Sequence, residues 1–320
     1  MNEQMNRDLV RVATMYHKED LKQSDIAKKM GISRSLVSKY LNDAKKEGIV
    51  DIYIKSESAY SAELELSLEK KFGLKRAVVL DTNNIRENEV EKILVQTAIS
   101  SFKRDIDQAN KIGISWGKML RRFVDEFPYE NSPETMIVPL IGGMGPDHVD
   151  VHSNQLAYDL ARKIRGRSLY LYAPALVDNH EVKTSLIENS LIKEVLAEGC
   201  KVDLALVGIA DPFSTKNTMT EIGYLNPAAL ADLKSVHTVG DINSRFFDRN
   251  GEEVDSRINE NVIGVNLTEL KKIDKIAAIC HEESKKSALY VAIQHQLINM
   301  IAVTTEIAEF LLEKTDSSEE

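Results

Sequence analysis

Residues 23–40 read QSDIAKKMGISRSLVSKY, and this window decides the architecture of the first sixty residues. Two helices that pack closely across a short turn need a small residue at the fifth position. They also need a turn residue tolerant of positive φ, with apolar residues flanking both. Ala27 is the small residue and Gly31 the turn, while Ile26, Met30, Ile32 and Val37 are core positions with Leu41 one turn on. Ser33 is placed to cap a third helix running to about Lys46. Upstream, Leu9, Val10, Val12, Ala13 and Tyr16 recur at helical spacing, so a first helix covers 6–16. Gly48 ends the third helix, and 49–54 alternates as a short strand, a small wing or brace. The outward face of the third helix is Ser-Arg-Ser-x-x-Ser-Lys. Arg34, Ser35, Ser38 and Lys39 on that face, with Ser33 before it and Gln23 at the start of the motif, are candidate contacts to base edges and phosphates in a major groove. A bundle that never meets DNA can also show an alanine and a glycine at this spacing; the hydroxyl-and-cation face separates the two readings.

Charge agrees with this division. The chain has 320 residues and a formal net charge of −9. Residues 1–58 nevertheless hold 11 Lys/Arg against 9 Asp/Glu, so the acidity lies entirely in the remainder. A mildly basic head on an acidic body is the asymmetry of a chain that meets DNA at one end only. The two cysteines, Cys200 and Cys280, cannot furnish a four-ligand zinc site, so neither a metal nor a cofactor is expected. No stretch approaches the ~18 apolar residues of a membrane span, and the first residues lack a signal peptide's order, which points to a cytoplasmic chain.

The expected domains are 1–55, a serine-bearing linker at 56–62, and a large body at 63–320. An amphipathic helix at 63–72, with Leu64, Leu66 and Leu68 between glutamates, is a candidate for pairing subunits. Beyond it, strands are expected at 77–80, 111–114, 136–140, 169–172, 204–207, 236–239 and 276–280. Helices are expected at 87–104, 119–126, 153–164, 191–197, 227–233 and 284–295. This alternation builds a Rossmann-like, mostly parallel α/β sheet domain behind a small all-α helix-turn-helix domain. Ligands of such sheets lie beyond the carboxyl ends of the strands. The segments there are Ser115-Trp-Gly-Lys, Ile141-Gly-Gly-Met-Gly, Gly208-Ile-Ala-Asp-Pro and Gly240-Asp, and several glycine-rich turns at successive strand ends imply a small-ligand cleft.

A helix-turn-helix head joined to these loops resembles the SorC family of bacterial sugar-responsive transcriptional regulators. The matching segments are Gly113-Ile-Ser-Trp-Gly117, Val138-Pro-Leu-Ile-Gly-Gly143, Asp203-Leu-Ala-Leu-Val-Gly208 and Gly240-Asp-Ile-Asn-Ser-Arg-Phe-Phe-Asp248, and the likeness spans effectively the whole chain. The resemblance implies a body related to phosphosugar isomerases that binds a sugar phosphate or polyol-type metabolite and so alters oligomerisation and operator affinity. It implies a homodimer or homotetramer acting on operator DNA, as a repressor of carbohydrate catabolic genes. Carried over by position, Ser115, Trp116, Gly117, Lys118 and Met119, with Ile141, Gly142 and Gly143, embrace the ligand's phosphate end. Gln155 and Asp241 hydrogen-bond its hydroxyls, and Lys285 pairs with a phosphate.

The chain departs from the family where it has His281, Glu282 and Glu283 in place of a usual Gly-Gly pair before the lysine. Two carboxylates within a turn of Lys285 repel a phosphate dianion. Ala210 replaces a frequent glycine, Lys118 a small hydroxyl residue and Thr304 an aspartate. These changes point to a ligand unusual for the family or a weakened response. Two rival functions stand beside this reading. An enzyme on the same fold needs a positioned acid and base, yet His148, His152 and His281 are scattered and no compact nucleophile–base pair is visible. A constitutive DNA-binding oligomer with a degenerate pocket needs no ligand at all.

Overall fold

The structure, a computed structural model, describes residues 3–50, 56, 58–145, 148–214 and 217–314. The chain divides into two units, Met1–Ala59 and Tyr60–Glu320.

In the first unit, α1 (Glu3–His17), α2 (Gln23–Met30) and α3 (Arg34–Lys46) pack around Val12, Met15, Ile26, Ala27, Val37 and Leu41. Gly31 closes α2 with φ +68°, a left-handed conformation that costs a residue with a Cβ but not glycine. The Ile32 amide then donates to the Ala27 carbonyl (3.0 Å), turning the chain into α3. Ile49 and Val50 pack on Leu9, Ala13 and Ala44, with both amides donating to the Ala44 carbonyl. They are not strand residues, and the rest of the expected strand, 51–54, lies outside the described residues.

The helix α4 (Ala59–Phe72) starts at the last residue of the first unit and belongs otherwise to the second, so the helical chain already begins inside the stretch expected as linker. The second unit continues through β1 (Arg76–Leu80), α5 (Glu87–Gln108), β2 (Lys111–Ile114), α6 (Lys118–Glu126), β3 (Met136–Pro139), α7 (Ser153–Ile164) and β4 (Arg167–Ser168). Next come α8 (His180–Glu188), α9 (Ser190–Gly199), β5 (Leu204–Leu206), β6 (Ile209–Ala210), α10 (Thr218–Glu221), α11 (Pro227–Ser235), β7 (Gly240–Ile242) and β8 (Arg245–Phe247). The unit closes with α12 (Arg257–Asn261), α13 (Leu267–Leu270), β9 (Lys275–Cys280), α14 (Lys286–Gln294), β10 (Met300–Thr304) and α15 (Thr305–Glu313).

Among the described residues, seven strands form a parallel sheet in the order β1-β10-β9-β5-β2-β3-β4. Successive strand residues alternate between two cores. Val78, Ile112, Ile114, Ala277 and Ala302 face α5, α6 and α7; Ala77, Val79, Ala205, Ile276 and Val303 face α4, α9, α14 and α15. The edge strand β1 would leave alternate amides bare. Two glutamates of α4 accept from them, Glu69 from Ala77 (3.0 Å) and Glu65 from Val79 (2.8 Å). Leu64 and Leu68 of α4 are buried in this sheet's core, while Leu66 stands 68% exposed.

Three expectations need correction. The strand expected at 236–239 is displaced: Val236 ends α11, His237 takes φ +54°, and the strand begins at Gly240. Of 169–172, only the Leu169 amide reaches the neighbouring strand, at the Ile137 carbonyl; the ladder itself is Arg167–Ser168. The last strand, β10, was not anticipated, nor was the small antiparallel sheet β6-β7-β8.

Candidate functional site

The order of the large sheet locates the site. From β2 the chain proceeds outward to β3 and β4, and from β5 it proceeds the other way to β9 and β10, so the direction of winding reverses between neighbouring β2 and β5. A crevice opens outside the carboxyl ends of strands at such a switch point. Here it is a cleft of about 710 Å³ lined by the segment after β2 (Ser115 to Leu120), the segment after β5 (Gly208 to Asp211), and the segment after β9 (His281 to Lys285). Asp241 of the small sheet and Asn243 in the turn after β7 complete the wall, and Glu221 of α10 stands at its rim. The volume lies within the range of small-molecule sites.

The hairpin β7–β8 is pinned to the end of β2. Its two-residue turn, Asn243-Ser244, has φ +55° and +57°, the left-handed pair that matches strand twist in a tight hairpin. Ser115 Oγ donates to Asn243 Oδ1 (2.7 Å), and Asn243 Nδ2 donates to the carbonyls of Leu140 (3.1 Å) and Val265 (2.9 Å). Trp116 Nε1 donates to Ser244 Oγ (3.0 Å). Every polar atom of the Asn243 amide is therefore engaged in holding the cleft's floor.

Asp241 differs. It sits on β7 opposite Phe246 and Ala210, is 6% exposed, and its Oδ1 has no hydrogen-bond partner. Burial pushes its carboxyl up to about 7, against the opposing pull of the Lys285 ammonium and the Ser244 amide. Lys285 is itself paired with Glu282 (2.6 Å), Lys118 with Glu221 (2.5 Å), and Glu283 with Lys286 (2.5 Å). Cys280, at the end of β9, is buried, and burial pushes its thiol up to about 11, which disfavours the thiolate.

Of the residues expected to meet a ligand, Ser115, Trp116, Gly117, Lys118, Met119, Asp241 and Lys285 come together on the cleft. Ile141, Gly142, Gly143 and Gln155 are not among its described lining. Ile141 is fully buried and bridges to Gly264. A Cβ on Gly142 would stand 2.5 Å from the Ala173 carbonyl oxygen and the Pro174 backbone, so glycine serves close chain packing there. Gly143 forms a bridge to Pro174, and Gln155 is half-buried in the first turn of α7. The sequence reading did not single out Asn243; its signal was the two-residue Asn-Ser turn between alternating strands.

On the first unit, Val37, Leu41 and Ala44 bury one face of α3, while Arg34, Ser35 and Lys39 are exposed and Ser38 is half-exposed. Ser33 Oγ accepts from the Leu36 amide (3.1 Å) and lies 2.9 Å from Ser35 Oγ, so it caps the helix. Gln23 begins α2 and is half-buried. The described residues contain no cluster of His, Cys, Asp and Glu suited to a metal ion, and none of their helices is long and apolar enough to cross a membrane.

Comparison with known proteins converges on the same arrangement. Residues 56–313 match the family described as "Putative sugar-binding domain", and residues 13–51 match a winged helix-turn-helix DNA-binding family. The sorbitol operon regulator of Klebsiella pneumoniae is 31% identical over 308 residues, 96% of this chain and 98% of that protein. The deoxyribonucleoside regulator of Bacillus subtilis is 26% identical over 95% of this chain and 96% of its own. Among solved structures, the full-length sorbitol operon regulator SorC superposes with a TM-score of 0.74 at 30% identity, covering 98% of this chain and 100% of that one. A DeoR family transcriptional regulator from Listeria monocytogenes gives 0.75 at 43% identity, over 79% of this chain and 99% of its own. A helix-turn-helix unit followed by a sugar-binding α/β unit, matched along nearly the whole chain, makes this protein a member of the SorC family of transcriptional regulators.

Proposed function

We propose that α3 reads an operator half-site and that a sugar-class metabolite in the cleft sets how tightly it does so. Arg34, Ser35, Ser38 and Lys39 present donors to base edges and phosphates, while Gln23 and Ser33, at the starts of α2 and α3, supply nearby backbone contacts. In the body, Ser115 to Met119 form one wall, and Asp241 and Lys285 are the polar groups that fix the ligand. The relatives' names, sorbitol operon and deoxyribonucleoside regulators, support a carbohydrate-class ligand; that the control is repression of carbohydrate catabolic genes is part of the proposal. Self-association as a homodimer or homotetramer in the cytoplasm would present paired heads to repeated half-sites. A ligand shifts operator affinity only by as much as it distinguishes the two states of the assembly.

The observation that carries this reading is the cleft itself: an open space at the switch point lined by Asp241, a buried carboxyl with one oxygen lacking a hydrogen-bond partner. A degenerate pocket would be filled by its own side chains. The test is titration of the full chain with free and phosphorylated sugars, read by operator binding. Lys285→Ala should leave operator binding intact and abolish the response; a surviving response would remove Lys285 from the site.

A further inference from the structure

The charges around the cleft are unevenly distributed. Asp211, Glu221, Asp241, Glu282, Glu283 and two glutamates of α5 line it, against the ammonium groups of Lys118 and Lys285 alone. Both ammonium groups are already paired with carboxylates that line the cleft. Crediting the outward partners Lys286 and Arg122, which pair with Glu283 and with Glu91 of α5, and counting the buried Asp241 as half ionised at neutral pH, still leaves six carboxylates and a fraction of a seventh facing four cations. Several of these carboxylates are solvent-exposed and therefore screened, but their excess over the cations still opposes a phosphate dianion placed here.

The attraction available to an anion is small by comparison. The N-terminus of α6, at Lys118, offers about half an elementary charge. The chain leading into α14 carries Glu282 and Glu283, which already supply negative charge to that helix's start. The unpartnered polar atoms tell the same story independently. Asp241 Oδ1 and His281 Nδ1 are buried without a partner. Hydroxyl groups, which both donate and accept, satisfy such atoms whether or not they carry a hydrogen; phosphate oxygens, which at neutral pH mostly accept, satisfy only an atom that carries one.

We infer that the cleft takes an uncharged polyhydroxylated compound, a free sugar or sugar alcohol, and discriminates against the phosphate ester of the same compound. This rests on the reading of the body as a metabolite sensor, and the experiment separates the two. Full-length protein is titrated calorimetrically with hexitols, hexoses and pentoses, each as the free compound and as its phosphate monoester, and with inorganic phosphate. The result expected is a compound that binds at least tenfold tighter free than esterified, with no heat from inorganic phosphate. An ester that binds more tightly than its parent overturns the inference and leaves metabolite sensing standing. No binding by any compound overturns the sensor reading and this inference with it. The double variant Glu282→Gln/Glu283→Gln, which frees Lys285, should gain at least tenfold affinity for the esters; unchanged ester affinity contradicts the charge argument.

Discussion

Replacing Asp241 with asparagine removes an ionisation while keeping the shape and hydrogen-bonding capacity of the neutral side chain. The carboxyl ionises at an ordinary 3.8 in an unfolded chain and at about 7 in its buried place on β7. Below about pH 4 both states hold the proton and the fold bears no penalty. From there to pH 7 the unfolded chain releases the proton while the folded one retains it, so stability falls as pH rises. Above pH 7 the full penalty stands, at most about 4 kcal/mol. Asp241→Asn escapes it. The assay is urea unfolding at pH 5 and pH 8, followed by the fluorescence of Trp116, the single tryptophan, whose indole lies against the same hairpin at Ser244. The stability difference between variant and parent should move by about 2–3 kcal/mol in the variant's favour on going from pH 5 to pH 8. A difference that stays flat with pH would refute the claim that burial sets this carboxyl's ionisation, because every other titrating group is common to both proteins.

Other perturbations separate the parts of the account. Arg34→Ala should weaken operator binding by about 1–3 kcal/mol while binding to random duplex is nearly unchanged, measured by fluorescence anisotropy at fixed salt. Equal loss on both would make Arg34 a phosphate contact. Asn243→Ala strips hydrogen bonds from the buried Leu140 and Val265 carbonyls and from Ser115, and should cost the body about 2–4 kcal/mol in urea unfolding. Glu65→Ala uncovers the Val79 amide at the sheet edge and should cost about 1–2 kcal/mol, with faster hydrogen exchange at that amide.

The legible parts of the sequence were those where one local rule had no competitor. The head follows from Ala27, Gly31 and the apolar positions around them, because a tight helix–turn–helix admits few residues there. The strands β1, β2, β3, β5 and β9 announced themselves as short apolar runs before glycine or polar turns. By contrast, β10 runs directly into α15, and an apolar stretch continuous with a helix carries no signal of where the period changes. The reading of 236–239 failed because Val236 to Val239 look like a strand but include the end of α11 and a left-handed His237. The glycines after β3 were read as a cradle for a ligand; Gly142 is needed instead where the Ala173–Pro174 backbone crosses it, a constraint set by a segment thirty residues away. The helix with Leu64, Leu66 and Leu68 was expected as a candidate for pairing subunits, yet Leu64 and Leu68 pack into the sheet's own core, and Glu65 and Glu69 complete the hydrogen bonding of β1.

The central claim is an energetic link between the cleft and the DNA-reading helix, and such a link is reciprocal. Its direct measurement is the affinity of the full chain for its operator with the cleft empty and saturated, paired with the affinity for the ligand with operator absent and bound. Trp116 fluorescence reports cleft occupancy in every case. The account predicts that both affinities change by the same factor, fivefold or more. An operator affinity that stays constant while Trp116 shows the cleft filled would contradict it.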